Sequence, residues 1–332
     1  MSSADSTEKT GVHEDFSHLR RSFLKLIGML PLMGYCHAQS APLPAIAGAE
    51  FNQRERISRS FGKSNDMRNY SILYPGCGVR EAMSTLDLLR MKKARDQANT
   101  ALNWMRIDPT TDKSKPESEW VFKVAVPGAS GSKTTEIRIG DLLAESEPLE
   151  ALAHHCRNCP ASVLSRDFSC SGIVHYPITM LGEQWLVSKL PADLDSEAGH
   201  FLLRAITDFD YRGVKIDAKR NRKERYEADK PPERKWSSGL SKTITITSSQ
   251  ILEMAFGVGD YLEPPHATMV AYFLGFVGGD SPEPGDPLHL PLSNNPLDYP
   301  QPEDDECIIE LKSFLLAMAW AGVNRCLILV KA

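Results

Sequence analysis

Apolar positions along this chain follow two rhythms, one helical and one alternating, and the helical one dominates. Residues 80–107 place Ala82, Leu86, Leu89, Met91, Ala98, Leu102 and Met105 at helical spacing, the longest such run in the chain. The spacing predicts one long helix with a buried stripe that includes Leu86, Leu89 and Leu102. Shorter helices are predicted over 141–153, 179–190, 196–209, 264–276 and 307–320. Pro264-Pro265 suits a first helical turn, where a missing N–H costs nothing.

Period-two segments are fewer. Residues 121–126 and 134–139 flank a turn region at 127–133 and predict a hairpin. Thr243-Ile244-Thr245-Ile246-Thr247 alternates and then meets Ser248-Ser249-Gln250, which predicts a strand, a helix cap and a helix in succession. Residues 326–330 read as a buried terminal strand. Repeated β-α-β units are absent. The expected class is therefore α+β, mostly helical with a small sheet.

Three polar stretches punctuate this pattern. Residues 48–70 read as a flexible lead-in, and 71–332 as a single globular α+β domain. Residues 211–236 carry a basic excess from Arg212, Lys215, Lys219, Arg220, Arg222, Lys223 and Arg225. No aromatic residues interleave to stack on bases, so the expectation there is a solvated, mobile loop. Residues 278–306 are acidic and rich in proline, and predict a long extended loop.

Composition changes this picture little. The chain has 332 residues, enough for a sizeable core, with 42% hydrophobic and 24% charged residues. A net charge of −5 gives no general pull toward nucleic acid or anionic membrane. After the N-terminal region no apolar run reaches the ~18 residues of a transmembrane span. No phosphate-cradling glycine loop, Gly-x-Ser-x-Gly elbow or His-Glu-x-x-His pair occurs.

The N-terminal region carries an address. Arg20-Arg21-Ser22-Phe23-Leu24-Lys25 leads directly into an apolar run at 26–35. Ten residues of helix reach only ~15 Å, about half a hydrocarbon core. Ala38 and Ser40, or Ala45 and Ala47, offer small-residue cleavage sites. Tyr35 stands before Cys36, where a lipoprotein signal needs a small residue. Both arginines, the Phe-Leu pair and the lysine resemble a bacterial twin-arginine export signal, over 1–47. That resemblance implies recognition by the twin-arginine export machinery, passage in a folded state, and a destination in the periplasm or cell envelope. The alternative is an amphipathic helix on a cytoplasmic protein.

The chemistry lies in the cysteines. Of seven, Cys36 would leave with the signal, and Cys77, Cys156, Cys159, Cys170, Cys307 and Cys326 would remain. Cys307 and Cys326 lie in apolar segments and read as core residues. The stretch His154-His155-Cys156-Arg157-Asn158-Cys159, then Cys170 and His175, has the spacing C-x₂-C-x₁₀-C-x₄-H. A Cys-x-x-Cys turn brings two sulfurs together, and a third thiol with an imidazole can complete a tetrahedron. Cys156, Cys159, Cys170 and His175 are thus candidate metal ligands, with His154 or His155 as stand-ins for His175 and zinc as the first candidate metal. Three other readings use the same residues. An iron–sulfur cluster would need Cys77 as its fourth thiolate. A redox-active Cys-x-x-Cys pair and a structural disulfide are the others. The functional expectation is an exported envelope protein whose cysteine/histidine cluster binds a metal or is redox-active. The alternative is a non-catalytic protein in which the cluster only stabilises the fold.

Overall fold

The computed structural model describes residues 67–128, 131–164, 167–175, 178–222, 226–238, 242–277 and 304–331. The export segment, most of the lead-in and most of the proline-rich stretch at 278–306 lie outside these residues. The architecture is organised around a four-stranded antiparallel sheet in the order β4-β1-β8-β7. Strand β1 spans Met67–Ile72, β4 Ser171–His175, β7 Tyr261–Leu262 and β8 Ile328–Lys331. Strand β1 is central, pairing Tyr70 with Gly172 on one side and with Val330 on the other. It begins inside the stretch read as a lead-in, and it joins the first described residues to the last.

The helices at 85–107 and 306–323 pack against this sheet. Helix α1 is Gly78–Ala82 and α2 is Thr85–Ile107. The expected long helix is thus broken at Met83-Ser84, where the Ser84 hydroxyl accepts the Asp87 N–H as an N-cap. The cap sets the phase of the helix. Leu88 and Leu89 are buried with Leu102, whereas Leu86, expected in the stripe, is 51% exposed. Strands β2 (Val121–Gly128) and β3 (Gly131–Arg138) form the expected hairpin, with Val121 opposite Arg138. Helices α3 (Ile139–Ser146) and α4 (Pro148–Leu152) follow, split at Pro148, which cannot donate to the preceding turn.

Helices α5 (Met180–Ser188) and α6 (Glu197–Asp208) match expectation. The charged segment 211–236 does not form one continuous loop. It contains helix α7, Val214–Arg220, and enters strand β5, Glu233–Ser238. Arg220 is buried there: it grips Glu183 through two bonds of 2.8 and 2.7 Å and stacks 4.6 Å over Tyr226. Strand β6, Lys242–Thr247, pairs with β5 and passes into α8, Ser248–Phe256, through a capping box between Thr247 and Gln250.

Helix α9, Pro264–Phe273, packs against α10, Glu306–Val323, the most deeply buried helix. Phe314 of α10 lies 5.0 Å from the Tyr70 ring and 4.8 Å from Phe256. Aromatic contacts therefore join α10, the central strand and α8 in one core. Helix outweighs strand among the described residues, an α+β fold with a small sheet. Among the described residues no helix is long and apolar enough to cross a membrane.

Candidate functional site

Strand register, rather than sequence proximity, assembles the cysteines. In the β1–β4 pair Ser71 faces Ser171, and their hydroxyls meet at 2.7 Å in the core. Just beyond, the Ile72 N–H donates to the carbonyl of Cys170 at 2.9 Å. Cys170 thus stands beside the exit of β1. The chain leaving β1 turns at Tyr74, whose carbonyl accepts the Cys77 N–H, and Cys77 caps α1. Gly172 leaves room for the Tyr70 side chain across the β1–β4 pair, because a Cβ there would lie 2.4 Å from the Tyr70 hydroxyl.

The Cys-x-x-Cys turn arrives from a third direction. Leu149 of α4 is fully buried and anchors the one-turn 3-10 segment Ala153–Cys156. The Cys159 N–H closes the turn on the Cys156 carbonyl at 3.2 Å. Cys77, Cys156, Phe168 and Leu149 share one apolar cluster with Val79 and Leu88. All six cysteines among the described residues are free thiols.

Four of these thiols form one electrostatic unit. The thiol of Cys159 hydrogen-bonds the sulfur of Cys77, and Cys77 and Cys170 each interact with the other three sulfurs of the set. Cys77 is drawn down to about 6, first by the Cys159 thiol and then by the N–H groups of Arg80 and Val79 and the Arg80 guanidinium, against the effect of burial. Cys159 is pushed up, because it supplies the shared proton and is partly buried. Burial likewise raises Cys156, and raises Cys170 to about 11.

Two of the sulfurs have a polar neighbour of their own. The Ser171 hydroxyl lies 3.8 Å from Cys170. The Phe168 N–H reaches the Cys156 sulfur at 3.3 Å. Phe168 holds that position with φ of 58°, a left-handed backbone that a bulky residue rarely adopts. Donors aimed at sulfur favour the thiolate, while the mutual repulsion of the four opposes it.

The histidines are placed differently. His175 closes β4 opposite Met67. Its backbone is therefore carried ~16 Å along an extended strand from Cys170. The ring of His175 is not among the described side chains. His154 and His155 are exposed, with their rings 3.9 Å apart. The Ala151 carbonyl can only accept, so His154 carries its proton on Nδ1 at 2.8 Å. His155 packs on Gly78, where a Cβ would lie 2.5 Å from its Nδ1.

Cys77, Cys156 and Cys170 are buried and Cys159 is half-buried. Two surface grooves, one lined by Met180, Gln184 and Lys230 and the other by Arg95, Asn99 and Glu150, include no cysteine. Among the described residues no three His, Cys, Asp or Glu side chains already stand in the arrangement of a metal site. Cys307 and Cys326 are core residues, as expected. Comparison with known proteins finds no matching family model, and neither a curated protein nor a solved structure matches the chain.

Proposed function

We propose that this chain is an exported envelope protein in which Cys77, Cys156, Cys159 and Cys170 hold one soft metal ion, zinc being the first candidate. The observation that carries the reading is that the fold gathers these cysteines from distant segments. Cys77 and Cys156 share one apolar cluster, the Cys159 N–H closes its turn on the Cys156 carbonyl, and the Cys170 carbonyl holds the Ile72 N–H at the exit of β1. Buried neutral thiols behave as small hydrophobes and call for no hydrogen-bond donors. Four thiols from three chain segments, two of them with polar partners and all repelling one another as thiolates, are an environment a dication would neutralise. Binding would exchange the proton shared by Cys77 and Cys159 for the ion and draw the four sulfurs inward, since thiolate ligation releases protons.

Zinc suits an all-thiolate set and lacks redox chemistry of its own. Burial of three of the four sulfurs favours a stabilising role. In that role the ion would tie the exit of β1, the Cys-x-x-Cys turn and the entry of β4 together. Export in a folded state is consistent with such a centre, because the ion can be loaded before transport. The test is elemental analysis of protein purified without chelators, with Cys77→Ser beside the wild type. Retention of metal by the Cys77→Ser chain at wild-type stoichiometry and affinity would remove Cys77 from the set.

A further inference from the structure

We propose that Lys189 is a nucleophilic amine that captures small anionic carbonyl compounds as imines, at a site independent of the cysteines and of the metal reading. Lys189 is the C-cap of α5, one turn beyond Trp185. Its ammonium reaches back over the indole, 5.5 Å from the ring centroid. Lys312 of α10 reaches the same ring at 5.8 Å. Phe276 meets that ring edge-on, with centroids 6.3 Å apart. Asp304 stands 2.5 Å from Lys312 and neutralises it, both side chains being buried.

Lys189 has no such partner. Carbonyls at the end of a helix commonly hold a lysine placed there. Here Arg234 of β5 takes those of Ser188 and Leu190, at 3.3 and 2.6 Å. The Trp236 N–H takes those of Pro191 and Ala192. Among the described residues no carboxylate lies within ion-pair distance of the Lys189 ammonium. Lys189, Lys312 and Arg234 thus converge on the last turn of α5, with Asp304 already engaged. Burial first, and then the charge of Lys312, lower the Lys189 pKa against the pull of Asp304. An amine made neutral by burial beside a second cation is a nucleophile. Lys189 is half-buried, so a small reagent reaches it from solvent. The surrounding cations favour a carbonyl compound that carries a carboxylate. In the reaction the amine nitrogen adds to the carbonyl carbon and the oxygen takes up a proton. The C–O bond then breaks and the C=N bond forms. Both amine hydrogens leave with that oxygen as one water, and no oxidant or reductant is consumed.

The full chain is incubated with glyoxylate near neutral pH, imines are trapped with cyanoborohydride, and labelled lysines are mapped by peptide mass spectrometry over time. Lys123, Lys215 and Lys235, all exposed, serve as internal references. The expected result is labelling of Lys189 roughly ten-fold faster than of any reference, the effect of about one pKa unit. In concentrated urea that preference should vanish, and in Lys189→Arg the fast-labelled fraction should disappear. Acetaldehyde, which lacks the carboxylate, should give a smaller ratio of Lys189 to reference labelling. Labelling of Lys189 no faster than the references, a preference that survives in urea, or transfer of the fast label to Lys312 in Lys189→Arg would each overturn the proposal. An equal ratio with acetaldehyde would overturn the anionic class of ligand.

Discussion

Arg220 carries the clearest energetic consequence of any single residue. Its guanidinium satisfies Glu183 twice in a site where both side chains are almost wholly buried, and the Ala228 carbonyl and Ser249 hydroxyl take further bonds. Removing the cation leaves Glu183 charged, or forces it to protonate, within the core. Arg220→Met is therefore expected to cost about 3–5 kcal/mol in denaturant unfolding, well beyond a surface arginine. Glu183→Gln together with Arg220→Met should recover part of the loss, since no charge is then stranded. The sequence offered Arg220 only as one cation in a basic stretch. Its burial depends on Glu183, which lies on a different helix. His266 makes a complementary case. Burial lowers its pKa, against the opposing bond to the Met254 carbonyl. A folded-state value below the unfolded ~6.5 means its stabilising contribution is present above that pH and is lost as pH falls. Melting temperature should drop on going from about pH 7 toward 5, and His266→Gln should flatten that step. A variant with an unchanged slope would exclude His266 as a source. At the cysteines, the Cys-x-x-Cys turn and Cys170 were legible from spacing. Cys77 was legible only as a spare thiol, because its approach depends on the β1–β4 register. His175 ends strand β4, and its ring lies outside the described side chains.

Element boundaries follow caps more closely than apolar spacing. The pattern over 80–107 placed Leu86 in the buried stripe, but the Ser84 cap restarts the helix and rotates Leu86 outward. Leu88, 1% exposed, takes the buried position. Leu88→Ala should cost ~2–5 kcal/mol, whereas Leu86→Ala should stay within about 0.5 kcal/mol of wild type. Equal effects from the two in urea unfolding would contradict the observed phase. Helices over 180–188, 197–208, 264–273 and 306–323 were readable because each has a cap or proline at its start and a long apolar face. Strands β1 and β4 escaped notice for the opposite reason. They are six and five residues long and mix polar with apolar positions, so their stability comes from pairing and not from local pattern. The Thr247–Gln250 capping box shows the other extreme, a boundary written wholly in adjacent residues.

At the scale of the whole molecule, the central strand joins residues near the two ends of the described chain, so the fold closes only once β8 has been made. Under the proposed export in a folded state, β8 would have to be in place before transport. Changing Arg20 and Arg21 together to Lys should keep the protein in the cytoplasm at its uncleaved length, read by fractionation and N-terminal sequencing. Unimpaired export of that variant would exclude the motif as the address. The α+β class was legible because helical periodicity outweighs alternation along the chain. The connectivity of the sheet was not, since short antiparallel strands leave no trace of their partners. The central claim, a metal held by four thiolates from three chain segments, is tested most directly by elemental analysis with native thiol counting on reduced protein purified without chelators. The account predicts about one zinc-class ion per chain, with Cys77, Cys156, Cys159 and Cys170 resisting alkylation until a chelator is added. A chain free of metal, in which Cys159 and its three neighbours alkylate at the same rate with and without chelator, would contradict it.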